Sequence, residues 1–269
     1  MKIEIEDLYF SYPGGVEALS GISLKVEPGE LVAIVGQNGA GKTTLVRHLN
    51  GLLQPTRGGV HVGDWDTRQH TVAQLASRVG YVFQNPDEQL FCRSVKDEVR
   101  FGPQNLKYPS DRIDELVIKS LALTGLIGKE NTNPYDLSPT WRKMVALASI
   151  LAMDTPIVIL DEPTTGQDAA SILRIAEIVT ELKRDGKSVL TITHDIDFCA
   201  ENFYRLIVMG KGKVLLDGPM HQILAQAEIL RSTYVDPPQL TRLGWGLGLP
   251  GVVCNQDEFI DLFRRPKLP

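Results

Sequence analysis

Gly36-Gln37-Asn38-Gly39-Ala40-Gly41-Lys42-Thr43-Thr44 matches the phosphate-binding P-loop pattern G-x-x-x-x-G-K-[ST] at every fixed position and directly follows the apolar run Leu31 to Val35. The chemistry follows from the residue types. Glycines let successive backbone N–H groups converge on phosphate oxygens, and a helix starting at the end of the loop adds the positive end of its dipole. Lys42 is then placed for the β and γ phosphates of a nucleoside triphosphate, and the Thr43 hydroxyl for magnesium. The duller reading is a glycine-rich turn between a strand and a helix.

A second constellation sits far along the chain. The apolar run Ile157 to Leu160 ends in Asp161-Glu162. Asp161 there would hold magnesium through water, and Glu162 would polarise an attacking water as general base. Acids at the end of a buried strand can also be mere strand-end solvation, but beside a phosphate loop they form the other half of a nucleotide site.

These residues need rigid elements beneath them. Leu31 to Val35, Ile157 to Leu160 and Val189 to Thr193 are apolar on both faces, as strands buried in a parallel sheet must be. Each follows a breaker, and helical patterns join them, so the expected fold is α/β with a parallel sheet. Ile3, Ile5, Leu8 and Phe10 alternate with polar residues and predict an N-terminal antiparallel β region. More than a hundred residues separate the first two buried strands, far too many for one crossover helix. Within them, Ile113, Leu116, Val117 and Leu121 form one helical stripe, and Met144, Leu147, Ala148 and Leu151 another. The expected organisation is one nucleotide-binding unit over residues 1–225, with a helical subdomain inserted at about 94–152. An appendage over residues 226–269 would carry the amphipathic patch Phe259-Ile260-Leu262-Phe263.

Composition narrows the class. The 269 residues are 43% apolar and 23% charged, an ordinary globular balance, and 28 Lys and Arg against 33 Asp and Glu leave a net charge of -5. Non-specific nucleic-acid binding through a basic face is therefore not expected. No apolar run approaches the roughly 18 residues of a membrane span, and MKIEIEDLYF reads as a strand rather than a secretory leader. Cys92, Cys199 and Cys254 are odd in number and have no close-spaced partners, so neither a disulfide framework nor a zinc cluster is indicated.

With those motifs in that order, the first 220 or so residues resemble the ATPase subunit of an ATP-binding cassette (ABC) transporter. The resemblance implies a P-loop NTPase fold and, as ligands, ATP and Mg2+. It makes Tyr12 the aromatic that stacks on adenine and Gln84 the residue that senses magnesium and the γ-phosphate. Asp168 falls in the D-loop, and His194 becomes the switch histidine at the γ-phosphate. Simpler roles are a core aromatic for Tyr12, a loop amide for Gln84, a helix N-cap for Asp168 and a satisfied core histidine for His194.

A narrower likeness lies in Tyr81 to Phe91 followed by Val95 to Pro103. These segments are similar to the energizing ATPases of energy-coupling factor (ECF) transporters, which import vitamins or transition-metal ions such as cobalt and nickel. That likeness implies a peripheral protein on the cytoplasmic face of the membrane, with a transmembrane coupling subunit and a substrate-capture membrane subunit as partners and no nucleic acid. Asp87, Glu88 and Glu98 are then candidate acidic contacts for arginines of the coupling helices, or else a solvated acidic face. A soluble ABC ATPase acting on nucleic acid or the ribosome, and a regulatory ATP-binding subunit with little turnover, are the competing classes.

One motif departs from the family. Where ABC ATPases carry LSGGQ, this chain reads Leu137-Ser138-Pro139-Thr140-Trp141. In the family that segment binds the γ-phosphate held by the opposite subunit of a head-to-tail dimer. Pro139 has no N–H to offer, and Thr140 and Trp141 bring side chains where the backbone should be bare. Ser138 is a plausible N-cap with Pro139 at the first helical position. A pairing with a paralogous ATPase that keeps an intact signature is the expectation, with a homodimer as the alternative.

Overall fold

The computed structural model of the chain describes residues 1–264. Two sheets organise it. The first is antiparallel, with strands β1 (Ile3–Ser11), β2 (Glu17–Val26), β4 (Arg57–Val62) and β5 (Trp65–Asp66) in the order β2-β1-β4-β5. The second is six-stranded. It contains β3 (Leu31–Val35), β6 (Val79–Val82), β7 (Ile157–Asp161), β8 (Ser188–Ile192), β9 (Arg205–Gly210) and β10 (Lys213–Pro219) in the order β10-β9-β3-β8-β7-β6. All its pairings are parallel except β9 with β10.

The parallel strands are apolar throughout because each face meets a different layer. Along β3, Leu31, Ala33 and Val35 join one core cluster, while Val32 and Ile34 join the other. The same alternation divides Val158 and Leu160 from Ile157 and Ile159 on β7. The second cluster lies between the two sheets and includes Leu45 and Val46 of α1 (Lys42–Arg47), and the short α2 (Val72–Leu75) precedes β6. The first cluster faces the helices.

The interval between β6 and β7 holds three helices that pack on one another: α3 (Val95–Asn105), α4 (Ser110–Thr124) and α5 (Pro139–Leu151). Ile113, Leu116, Val117 and Leu121 are all buried, as are Met144, Leu147 and Ala148, so both expected stripes face the core. After β7 come α6 (Ala169–Arg184) and α7 (Ile196–Asn202). Beyond β10 lie α8 (Met220–Leu224), α9 (Ala227–Ser232), α10 (Gln239–Gly246) and α11 (Gln256–Arg264). The Asp197 carboxylate accepts the Gln239 N–H at 2.8 Å and ties α10 to α7. The amphipathic patch at Phe259 to Phe263 falls on α11, where no residue is fully buried and the Phe259 and Phe263 rings stack at 6.1 Å.

Topology brings the chemistry together. The P-loop leaves the C-terminal end of β3, Asp161-Glu162 that of β7, His194 that of β8 and Gln84 that of β6. In open parallel sheets, ligand sites form at the carboxyl ends of the strands.

Candidate nucleotide site

The P-loop closes against the strand beside it. Gly36 has φ 144°, and a Cβ there would lie 2.1 Å from the Met209 carbonyl oxygen on β9. Gly41 has φ 96°, and its Cβ would meet the Ala18 carbonyl oxygen at 2.8 Å. Only glycine fits either position, since any side chain adds a backbone clash to left-handed strain. Asn38, Gly39, Ala40, Gly41, Lys42, Thr43 and Thr44 line one wall of a cavity of about 170 Å³, and Gln84 and Glu162 line the other.

Lys42 is buried, and its Nζ donates to the carbonyls of Gly36 at 2.7 Å and Gln37 at 3.1 Å. Burial pulls its pKa below the ordinary lysine value, against the opposing pull of Glu162 and Asp161. Among the described residues these two carbonyls are the hydrogen-bond partners of this ammonium. A buried cation whose only partners are carbonyls suits an anionic ligand such as a triphosphate.

The opposite side of the cavity is acidic. The Thr43 hydroxyl donates to Asp161 Oδ1 at 3.5 Å, and the Tyr81 hydroxyl donates to Asp161 Oδ2 at 2.6 Å. Burial raises the Asp161 pKa, and the Tyr81 hydrogen bond acts against it. Burial and the neighbouring Asp161 charge together hold the Tyr81 phenol well above its ordinary value, so it stays a donor. An acid aligned by a fixed phenol beside the Thr43 hydroxyl suits a hard divalent cation such as Mg2+.

Glu162 adopts φ 51°, in the left-handed region that non-glycine residues rarely occupy. Its N–H donates to the Ile192 carbonyl at 2.7 Å, and its own carbonyl accepts from the buried Lys143 ammonium at 2.6 Å. Its carboxylate accepts from the Thr165 hydroxyl at 3.1 Å and lies 3.0 Å from His194 Nδ1. The His194 side chain is 71% exposed, so it is no core histidine.

The remaining expected residues fall in separate places. The Tyr12 ring, 37% exposed, stands edge-on to Phe10, and its hydroxyl is 3.0 Å from Thr44 Oγ1 at the loop. Gln84 is exposed at the cavity wall. Asp168 caps α6 by accepting the Ser171 N–H at 2.8 Å. Ser138 caps α5 with Pro139 at the first turn, and its hydroxyl accepts the Trp141 N–H at 3.5 Å. Of the three proposed acidic contacts, Glu98 is the clear correction. It is buried, and its carboxylate accepts the N–H groups of Phe91 and Cys92 at 2.9 and 2.7 Å, so it holds a loop and is closed to a partner. Asp87 is already paired with Arg142 at 2.9 Å, and Glu88 stays exposed.

Tyr81 and Lys143 were absent from the sequence-derived set. A tyrosine in a strand buried on both faces needs a partner for its hydroxyl, and a lysine opening the apolar run of a helix needs one for its ammonium. Those mismatches were the available signals.

A buried lysine in a glycine loop, faced by a strand-end acid pair with a histidine on its second carboxylate, defines a nucleotide-hydrolysing P-loop ATPase. The sequence pattern of the ABC transporter family matches residues 19–165. The chain belongs to the ABC transporter family as an ABC ATPase of the energy-coupling factor type. It is 42% identical over 243 residues to the energy-coupling factor transporter ATP-binding protein EcfA of Methanothermobacter thermautotrophicus, covering 90% of this chain and 78% of that one. The EcfA protein of Methanocaldococcus jannaschii is 38% identical over 243 residues, covering 90% and 87%. Among solved structures, CbiO1 of Clostridium perfringens, part of the CbiONQ ABC transporter complex, superposes with a TM-score of 0.77 at 34% identity, covering 92% of this chain and 98% of that one. A dimeric ATP-binding cassette bound to ADP and phosphate after hydrolysis superposes with a TM-score of 0.74 at 26% identity, covering 81% and 98%.

Proposed function

We propose that this chain is the hydrolysing half of an asymmetric pair of ATPases whose closure drives uptake of a vitamin or transition-metal ion through membrane partners. The observation that carries the asymmetry is the start of α5. Pro139 has no N–H and the Trp141 N–H is taken by Ser138, so the Thr140 N–H is what remains in the first turn for a phosphate across an interface. The chain's own Glu162 and His194, by contrast, are in contact at 3.0 Å.

In this reading the P-loop N–H groups and Lys42 hold the β and γ phosphates, and Tyr12 stacks on adenine. Thr43, Asp161 and Gln84 would hold Mg2+, which when bound neutralises charge on the phosphates. Tyr81 keeps Asp161 oriented. Glu162 takes a proton from the attacking water, and the left-handed backbone fixed by Ile192 and Lys143 aims its carboxylate. His194, with Nδ1 on Glu162, leaves Nε2 for the γ-phosphate end.

Residues 1–225 would form the ATPase unit, with α3 to α5 as its helical subdomain, and residues 226–269 an appendage. Membrane partners are supported by the names of the relatives: EcfA proteins are ATP-binding proteins of energy-coupling factor transporters, and CbiO1 belongs to a transporter complex. A coupling subunit presenting arginines would find Glu88 exposed, four residues beyond Gln84. No helix of the described residues is long and apolar enough to cross a membrane, in keeping with a peripheral role at the cytoplasmic face. The test is magnesium-dependent ATPase activity of the purified chain, alone and mixed with a paralogue that has an intact LSGGQ. Turnover that appears on mixing supports the pair, and full turnover of the chain alone rejects it.

A further inference from the structure

Cys254 has no close-spaced partner in the sequence, yet the fold gives it two. His221 on α8 and Glu258 on α11 converge on it, and one ligand atom from each of the three lies within 4.8 Å of the others. Among the described residues this is the one group of three or more His, Cys, Asp or Glu side chains set that closely. Tetrahedral zinc, with Zn–S near 2.3 Å and Zn–N or Zn–O near 2.0 to 2.2 Å, requires ligand atoms roughly 3.3 to 3.7 Å apart. The group therefore closes on an ion with a shift of about 1 Å, and His221, whose side chain is 56% exposed, is free to supply it.

We propose that His221, Cys254 and Glu258 form a binding site for a divalent transition-metal ion of borderline softness, with zinc and cobalt(II) as suitable occupants. Imidazole, thiolate and carboxylate together favour such ions over magnesium or calcium, which take oxygen ligands. Charge also balances: one thiolate and one carboxylate neutralise a dication, and the Cys254 thiol proton is released to solvent as the metal–sulfur bond forms. The three groups border a cleft that Lys183 of α6 and Glu201 of α7 also line, and water would take the fourth position.

Cys254 and Glu258 are held before any ion arrives. The Thr241 hydroxyl donates to the Val253 carbonyl at 2.6 Å and accepts its N–H at 3.1 Å, which fixes the segment carrying Cys254 on α10. Glu258 accepts the Cys254 N–H at 2.8 Å through Oε2 and the Asn255 side-chain N–H at 3.0 Å through Oε1. His221 Nε2 lies 3.1 Å from Glu258 Oε2, so the ion would replace a proton shared between them. Such supporting contacts orient ligands and raise affinity. The consequence is structural: α11 has no fully buried residue, and an ion joining Glu258 and Cys254 to His221 staples it to the end of the ATPase core.

The experiment uses the full chain, stripped with chelator and free of nucleotide and magnesium, titrated with cobalt(II). One equivalent should raise a thiolate-to-cobalt charge-transfer band that zinc abolishes, and should raise the melting temperature. Cys254→Ser should remove the band. His221→Ala and Glu258→Gln should each weaken cobalt affinity at least about tenfold while leaving ATP binding intact. Absence of the band in the unmodified chain overturns the site. So does a band that survives Cys254→Ser, since Cys92 or Cys199 would then supply the sulfur. Because nucleotide is excluded, failure here is separable from failure of the ATPase pairing.

Discussion

The Lys143 ammonium donates to the main-chain carbonyl of Glu162 at 2.6 Å, so the helix behind the altered signature segment grips the backbone of the residue proposed as general base. A second contact, to the Thr165 carbonyl at 3.4 Å, spans the turn that follows. Lys143 is buried, its hydrogen-bond partners among the described residues are these two carbonyls, and burial pulls its pKa below the ordinary lysine value. A charge kept at that cost, where a methionine would fill the space, is explained by the two carbonyls it satisfies.

Lys143→Met should therefore do two things. It leaves the Glu162 and Thr165 carbonyls without their donor, lowering stability by about 1–3 kcal/mol. It also frees the left-handed backbone at Glu162, so turnover should fall several-fold more than ATP affinity does. Thermal unfolding and nucleotide titration, run beside steady-state ATPase assays, separate the two effects. Equal losses in binding and turnover would mean that Lys143 serves the fold alone.

Tyr81→Phe removes the phenol that donates to Asp161 at 2.6 Å and leaves a buried carboxylate with one partner fewer. A hydrogen bond to a charged group is worth about 1.5–3 kcal/mol, so the melting temperature should fall. The magnesium concentration needed for half-maximal turnover should rise, because Asp161 is no longer held in one orientation. An unchanged magnesium requirement would confine Tyr81 to a packing role.

Asp161 gives the pH prediction. Its folded pKa is raised, chiefly by burial, so the unfolded chain ionises first as pH climbs from the ordinary value of 3.8. Stability is lost across the interval up to the folded pKa and stays lost above it. The nucleotide-free Asp161→Asn chain should thus melt higher than the parent at neutral pH, with the advantage vanishing below the ordinary carboxylate range. It should also lose magnesium-dependent turnover. A melting advantage that is constant with pH would contradict the burial argument.

Much of this was legible in the residues. The doubly apolar strands at β3, β7 and β8 and the P-loop spacing pointed to the cavity that Lys42 and Glu162 line, because both are local patterns tied to buried sheet and backbone geometry. Contacts between distant segments were not legible. Nothing in the sequence pairs Asp87 with Arg142, or brings His221 to Cys254, because those meetings depend on how helices pack. Glu98 misled for the same reason. At the start of a helix it reads as a solvated acid, and only the fold shows the loop amides of Phe91 and Cys92 turning back onto it.

The central claim is that turnover belongs to the site built on this chain's own P-loop and Glu162, completed by a partner's intact signature. Substituting the base one subunit at a time tests it most directly. In the mixed assembly, Glu162→Gln in this chain should retain ATP binding and lower turnover on the order of 10²- to 10⁴-fold. The equivalent substitution in the paralogue, whose site depends on Pro139 and Thr140, should leave most of the rate. Equal halving by both substitutions, or loss only from the paralogue's, would contradict the account.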